Sequence, residues 1–140
     1  MPRSKAERDG EAAAVGEPEI PLHRFLGIEV GPAAADGHVR LRLPYRPAWR
    51  VSVEPAPMLH GGLSALLLDA AANMAVMAAT GRDVSTVDLR VDYLRAAPPG
   101  DLDAEGWVVR TGRVLAVADA AVTDAGGAVV AVGRGTFRLF

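Results

Sequence analysis

The chain has 140 residues, a formal net charge of −2 and no cysteine. This length suits one domain with a single core, and the weak charge gives no basic excess for nucleic-acid binding. The lack of cysteine excludes a disulfide framework, a thiolate metal site and a cysteine nucleophile.

The N-terminal segment, residues 1–20, is charged and interrupted by glycine and proline, without an apolar core. We expect a flexible tail, no secretory signal and a cytoplasmic protein, with the folded domain over residues 21–140. Pro21 to Gly27 is compatible with one helical turn. We expect its apolar side chains to face the core: Leu22, Phe25 and Leu26.

Two strands are predicted before the centre of the chain. Ile28 to Val30 begins the first, and His38 to Leu43 alternates apolar and polar residues, as a half-exposed strand does. Tyr45 to Pro57 contains several prolines and reads as an irregular connection.

The central stretch from Met58 to Thr80 predicts a long helix. His60-Gly61-Gly62 is followed by about seventeen strong helix formers, and Gly81 is a plausible stop. Apolar residues cover almost the whole circumference, which is typical of a buried helix. It is shorter than the roughly twenty residues of a membrane span and contains Asp69, so we expect no membrane segment.

Four further strands follow, separated by turn residues. They run over Val84 to Arg95, Leu102 to Arg110, Val114 to Thr123 and Ala128 to Leu139. In the first of these, apolar and polar residues alternate: Val87, Leu89, Val91 and Tyr93 against Asp88, Arg90 and Asp92. The short connections predict an antiparallel meander. These elements predict an α+β domain. We expect the sheet to curl around the helix and a second subunit to cover the part of the helix surface that the sheet leaves open.

Three motifs carry a family resemblance between about Phe25 and Arg138. They are LHGGLSALLLDAAANMA, STVDLRVDYLRAAPPGD and GRVLAVADAAVTDAGGAVVAVGRGTF. The chain resembles the hotdog fold, and more narrowly the PaaI-like acyl-CoA thioesterases. The resemblance implies a curved antiparallel sheet of five to six strands wrapped around one long buried helix.

The start of the helix offers a site for developing negative charge. The first amides of a helix lack intrahelical partners, and glycines let a ligand approach them closely. Gly61 and Gly62 therefore predict an oxyanion hole for thioester hydrolysis, although glycines there also permit a simple tight turn. By resemblance, Asp69 is the nucleophile or the general base; the alternative is a structural carboxylate satisfied by Asn73 or by a neighbouring backbone group.

The spacing of these groups predicts a shared site. Gly61 and Asp69 are eight residues apart, roughly 12 Å along a helix, whereas both must lie near one carbonyl. Two antiparallel helices from two subunits satisfy this condition. We therefore expect a homodimer with two sites across its interface, and a dimer of dimers is the larger assembly expected.

Three further residues occupy family positions around the site. The resemblance gives His60 an orienting role through hydrogen bonds, with a helix cap as the alternative. Glu54 stands where these enzymes usually have asparagine, and would repel Asp69, share a proton with it or replace it as base. The Thr86 hydroxyl would bind water or Asp69, or the residue is simply a strand former.

The resemblance also indicates positions for coenzyme A. They are Tyr93, Arg95, Arg110, Gly112, Arg113 and Arg138. Arginine suits phosphate binding, although each of these arginines alone is compatible with an ordinary surface charge. No second His or acid lies at metal spacing from His60, so we expect no metal, and no cofactor.

The favoured hypothesis is an enzyme that hydrolyses a small or medium acyl-CoA, including an aromatic one, to acid and CoA. A non-catalytic acyl-CoA-binding dimer is the alternative. A hotdog hydratase would need an Asp and His pair that is not visible, since His23 and His38 lie in unpromising contexts. A structural oligomerisation domain, with Asp69 fixing helix register, ranks last.

Overall fold

A computed structural model describes residues 20–32, 34–51 and 55–140. The predicted tail lies, apart from its last residue, outside the described residues, as does Glu54. Two helices and eight strands follow in chain order within the described ranges. They are α1 (Pro21–Leu26), β1 (Glu29–Val30), β2 (Val39–Leu43), β3 (Arg50–Val51), β4 (Met58–Leu59), α2 (Gly61–Thr80), β5 (Val84–Tyr93), β6 (Leu102–Thr111), β7 (Leu115–Thr123) and β8 (Val129–Leu139).

The described strands form a six-stranded antiparallel sheet in the order β1-β2-β6-β7-β8-β5, while β3 and β4 form a separate pair. The predicted hotdog architecture, a sheet wrapped around one long helix, is confirmed. The predicted meander is correct for β6, β7 and β8 but wrong for β5, which pairs with β8 at the sheet edge. The connection from β5 to β6 spans residues 94–101. It is longer than a tight hairpin turn and lets the chain reach β6, which lies beyond β8 and β7 in the sheet.

Small residues bring α2 close to the sheet. A Cβ atom on Gly106 of β6 would lie 2.2 Å from the carbonyl oxygen of Ala71, so only glycine fits where helix and strand cross. Ala71 and Ala75 on the helix and Ala118 on β7 are fully buried. The core is therefore a thin layer of short side chains flanked by larger ones such as Phe137.

One face of α2 is left open by the sheet. Leu66, Asp69, Asn73 and Met77 recur at helical spacing and are only partly buried; we call these four residues the open stripe. The helix has 20 residues, so it is longer than predicted and satisfies the length and composition of a membrane span, but 50% of that span is buried within the protomer. The sheet covers one side of this apolar helix, and the open stripe is the side that the sheet leaves uncovered.

Two predicted inward positions in α1 are wrong. Leu26 is buried, but Leu22 is 50% and Phe25 72% exposed. A six-residue helix has barely two turns, and its inner side is taken by His23 and Leu26.

Candidate active site

The first turn of α2 has one amide N–H without an acceptor among the described residues. The Gly62 N–H donates to Nδ1 of His60 at 2.9 Å, and the Leu63 N–H donates to the His60 carbonyl. No acceptor for the Gly61 N–H is found in the part of the chain that the structure describes. Of the two glycines singled out by the sequence, Gly61 is therefore the one whose amide is available to a ligand.

His60 caps the helix through its ring. Because Nδ1 accepts the Gly62 proton, a neutral ring carries its own proton on Nε2. The His60 N–H donates to the Trp49 carbonyl at 2.9 Å, which ties the helix start to the short 3₁₀ turn over Pro47–Trp49. The capping alternative for His60 is thus observed.

Asp69 is held by the neighbouring strand. Its Oδ1 accepts a hydrogen bond of 2.7 Å from the Thr86 hydroxyl of β5. Within the described ranges, Asn73 makes no side-chain hydrogen bond to Asp69, so the structural alternative through Asn73 is not what the protomer shows. The carboxylate lies on the open stripe rather than in the core, with Oδ2 left to other partners.

A β-bulge aims Thr86 at the helix. The register of β5 against β8 shifts between Thr86 and Asp88, which leaves Val87 without a partner in the ladder. Thr86 then pairs with the buried residue Phe137 and faces the helix. Without the bulge, strict alternation along β5 would place Thr86 on the outer face of the sheet. The bulge interrupts the predicted alternation at Val87, whose side chain is 61% exposed.

His23 is a titratable neighbour of Asp69 that the sequence analysis dismissed. It lies partly buried on the inner side of α1. Burial lowers the pKa of His23, and the nearby Asp69 carboxylate opposes this shift by raising it. Nothing in the local sequence of α1 indicates this proximity, because it depends on where the folded chain places α1 relative to α2.

A cavity of about 350 Å³ lies beside the free amide. Gly61, Ser64, Tyr93 and Arg95 contribute to its wall. The Tyr93 hydroxyl donates to the Gly61 carbonyl at 2.7 Å, so its single proton is directed at the helix rather than toward a nucleotide. Of the predicted CoA positions, Tyr93 and Arg95 are thus the two that adjoin the helix start.

The other predicted CoA positions lie at the opposite end of the sheet. Ser85, at the start of β5, pairs with Arg138, whereas Tyr93 pairs with Ala131. A strand of this length spans roughly 30 Å, so the two groups cannot meet one nucleotide within a protomer. Arg138 lies with its guanidinium over the Phe140 ring at 5.0 Å.

The turn between β6 and β7 carries the remaining CoA positions. Arg110 and Gly112 flank its start, and the Gly112 N–H donates to the Leu115 carbonyl at 2.8 Å. Arg82, which the sequence analysis did not single out, donates to the carbonyls of Arg113 and Phe140 at 3.0 and 2.9 Å. Arg82 therefore links this turn to Phe140, the residue that follows β8, through two hydrogen bonds.

A possible cation-binding group lies away from the helix. Asp36, His38 and Glu105 have ligand atoms within 4.8 Å of one another, brought together by the pairing of β2 with β6. Spacing along the chain does not reveal this cluster. Arg40 donates to both carboxylates and its hydrogen bond lowers the pKa of Asp36, so the acids already have a cationic partner.

Comparison with known proteins agrees with this architecture. The thioesterase superfamily profile matches residues 56–131, which include α2, β5, β6, β7 and the start of β8. A Halobacterium salinarum protein named as a candidate esterase is 40% identical over 143 residues, covering 93% of each chain.

Solved structures show the same fold. One, described as from the thioesterase superfamily, has a TM-score of 0.80 and 40% identity, covering 86% of this chain and 90% of that one. The E. coli PaaI protein of the phenylacetic acid degradation operon superposes with a TM-score of 0.76 at 21% identity, covering 87% of this chain and 86% of that one. At that identity the likeness concerns the fold alone.

Proposed function

The chain belongs to the thioesterase superfamily, and from this premise we propose that it hydrolyses a small or medium acyl-CoA, aromatic acyl groups included, to the free acid and CoA. The observation that carries the proposal is the free Gly61 amide at the start of α2, together with the Asp69 carboxylate that Thr86 holds on the open stripe. One group donates to an oxyanion and the other is a base or nucleophile.

The site needs two protomers. Gly61 and Asp69 lie roughly 12 Å apart along one helix, too far for both to act on one carbonyl. β5 is an unpaired edge of 10 residues, and an edge of that length favours pairing with another strand. The open stripe lies on the helix that β5 borders. We therefore propose a two-fold dimer through this edge, which sets Asp69 of one subunit beside Gly61 of the other.

The proposed chemistry uses only side chains and amides of the chain. The thioester carbonyl accepts a hydrogen bond from the Gly61 N–H, which stabilises the charge that develops on oxygen. In the water route, Asp69 takes a proton from water, the water oxygen bonds to the carbonyl carbon, and collapse breaks the C–S bond. The proton then passes to the departing thiolate. In the direct route, an Asp69 oxygen bonds to the carbon instead, and the C–S bond breaks to give an anhydride and the CoA thiolate, which takes a proton from solvent. Water then hydrolyses the anhydride to the free acid and restores the Asp69 carboxylate.

The same dimer would complete a nucleotide site. Antiparallel pairing of two β5 strands brings the Tyr93 end of one subunit toward the Arg138 end of its partner. Arg95 would then share one CoA molecule with Arg110 and Arg113 of the other subunit. Guanidinium groups bind phosphates through paired hydrogen bonds. A site shared between subunits would use the two groups of positions although they lie at opposite ends of the sheet in one protomer.

The first experiment is a panel of acyl-CoA thioesters assayed by release of free thiol. Asp69→Asn keeps the shape of the side chain but removes its charge, and we expect kcat to fall by at least about a hundredfold. Equal rates for the two proteins would exclude Asp69 from the reaction. Tight CoA binding without thiol release from any thioester would support the non-catalytic binding dimer instead.

Complementation between subunits tests the shared site. Gly61→Pro lacks the amide proton, while Asp69→Asn lacks the carboxylate. If each site takes Gly61 from one subunit and Asp69 from the other, co-expression of the two inactive chains restores about a quarter of wild-type activity through mixed dimers. No recovery on mixing, with both parents inactive and mixed dimers present, would show that each site belongs to a single subunit.

A further inference from the structure

Tyr93 makes a specific contact with the start of α2. It is the last residue of β5, and its hydroxyl donates to the Gly61 carbonyl at 2.7 Å. Its ring also lies against Gly61, since a Cβ there would be 3.3 Å from the Tyr93 Cε1 atom. The contact joins the end of the edge strand to the first residue of the helix.

The bonded carbonyl belongs to a peptide unit held at both ends. The Gly61 C=O and the Gly62 N–H share one planar peptide bond. The oxygen accepts from Tyr93, and the N–H donates to Nδ1 of His60 at 2.9 Å. The Gly61 N–H belongs to the preceding peptide unit, which joins the fixed one at the Gly61 Cα atom, so the fixed unit limits the direction of this N–H. It is the donor of the turn that has no acceptor among the described residues.

We propose that Tyr93 is a positioning residue that orients the Gly61 amide toward the thioester carbonyl. This inference rests on the proposed function, because it assigns Tyr93 a role in the same oxyanion site. The resemblance indicated Tyr93 only as a coenzyme A position; a phenol has one proton to donate, and here Gly61 receives it.

Tyr93→Phe is the direct test, because it removes the hydroxyl and keeps the ring against Gly61. Loss of a positioning hydrogen bond is expected to lower kcat by about threefold to tenfold, with KM changed by less than about twofold. The other tyrosine of the chain gives a matched control: Tyr45→Phe makes the same chemical change away from the helix start and should leave kcat and KM unchanged.

A second readout does not depend on turnover. Glycine-selective ¹⁵N spectra of the full protein resolve backbone amides, and the signals of positions 61 and 62 are identified by their loss in Gly61→Ala and Gly62→Ala. Tyr93→Phe should shift these two signals and leave the remaining glycines in place. Tyr45→Phe should shift neither.

The outcomes separate this inference from the proposed function. Absence of thiol release by the wild-type protein on every thioester overturns the proposed function, and the glycine spectra then decide the Tyr93 contact alone. With an active wild type, an unchanged kcat in Tyr93→Phe overturns the inference. A lower kcat with unmoved glycine signals also overturns it, because Tyr93 would then act elsewhere.

Discussion

The Thr86 hydroxyl donates a hydrogen bond of 2.7 Å to Oδ1 of Asp69, across the gap between the edge strand and the central helix. The bond depends on the bulge at Val87, which turns Thr86 toward the helix side of the sheet. It fixes one carboxylate oxygen and leaves the other to the substrate or to water. The edge strand therefore helps to define the geometry of the proposed reaction.

Removing this hydroxyl should weaken catalysis while the fold remains. Thr86→Val has nearly the same shape, and loss of a hydrogen bond to a charged group corresponds to about 1.5–3 kcal/mol, or roughly a tenfold to hundredfold fall in kcat. Thr86→Ser keeps the hydroxyl and should recover most of the activity. Steady-state kinetics on an accepted thioester make the comparison; equal losses in both variants would point to packing instead.

Proline at position 61 isolates the amide as the catalytic donor. Gly61 is the first residue of α2, where proline is tolerated, and His60 before it is extended with ψ 127°. Gly61→Pro should lower kcat by at least about a hundredfold because it has no N–H. Gly61→Ala adds the same Cβ atom near Tyr93 but keeps the N–H, so its loss should be much smaller. A larger loss in the alanine variant would refute the assignment.

A charge on the free edge should separate the subunits. Val87 is 61% exposed in the protomer, so Val87→Lys should fold, but a lysine on an edge strand opposes pairing with another strand. Light scattering should give at least twice the 14.6 kDa protomer mass for the wild type and a single protomer for the variant. Val129→Lys, at an exposed position of β8, should keep the wild-type mass. A dimeric and fully active Val87→Lys protein would place the interface elsewhere.

The crossing of α2 over β6 should tolerate no side chain at Gly106. A methyl group would lie 2.2 Å from the Ala71 carbonyl oxygen, so helix and strand must separate. We expect Gly106→Ala to lower the free energy of unfolding by about 3 kcal/mol, with a fall in Tm of roughly 10 °C. Gly37→Ala meets no atom within 4 Å and carries only the strain of its positive φ, about 1 kcal/mol. Thermal melts should show a larger fall in Tm for Gly106→Ala than for Gly37→Ala, and the reverse order would contradict the close contact at Gly106.

Stability should fall with acidification through His23. Burial lowers the pKa of His23 in the folded protein, so the unfolded chain, with a pKa of about 6.5, binds the proton first. The free energy of unfolding is then constant well above pH 6.5 and decreases as the pH drops from there toward the folded pKa.

Urea unfolding at several pH values measures this effect. His23→Gln cannot take up the proton and should lose part of the pH dependence below about 6.5. Leu22→Gln, an exposed change on the same short helix, should keep the wild-type dependence. Identical pH dependence in the wild type and His23→Gln would mean that another group causes the acid sensitivity.

Local sequence was sufficient for the long helix and the main strands of this chain, but not for the short pair of β3 with β4, because β3 lies in a segment predicted as an irregular connection. The helix begins at Gly61 and ends before Gly81 because helix formers fill the interval and a left-handed glycine ends it. The alternation of β2 placed Val39, Leu41 and Leu43 inward, as the structure shows. These features depend on propensity and on side-chain period, which are properties of neighbouring residues.

Tertiary structure alone decided the surroundings of Asp69. Thr86 reaches it because of a register shift in strand pairing, and His23 comes near it because a separate helix packs there. The predicted CoA positions divide between two ends of the sheet because β5 runs its full length between them. Each relationship joins segments distant in the chain, so it is set by register and packing rather than by residue type or spacing.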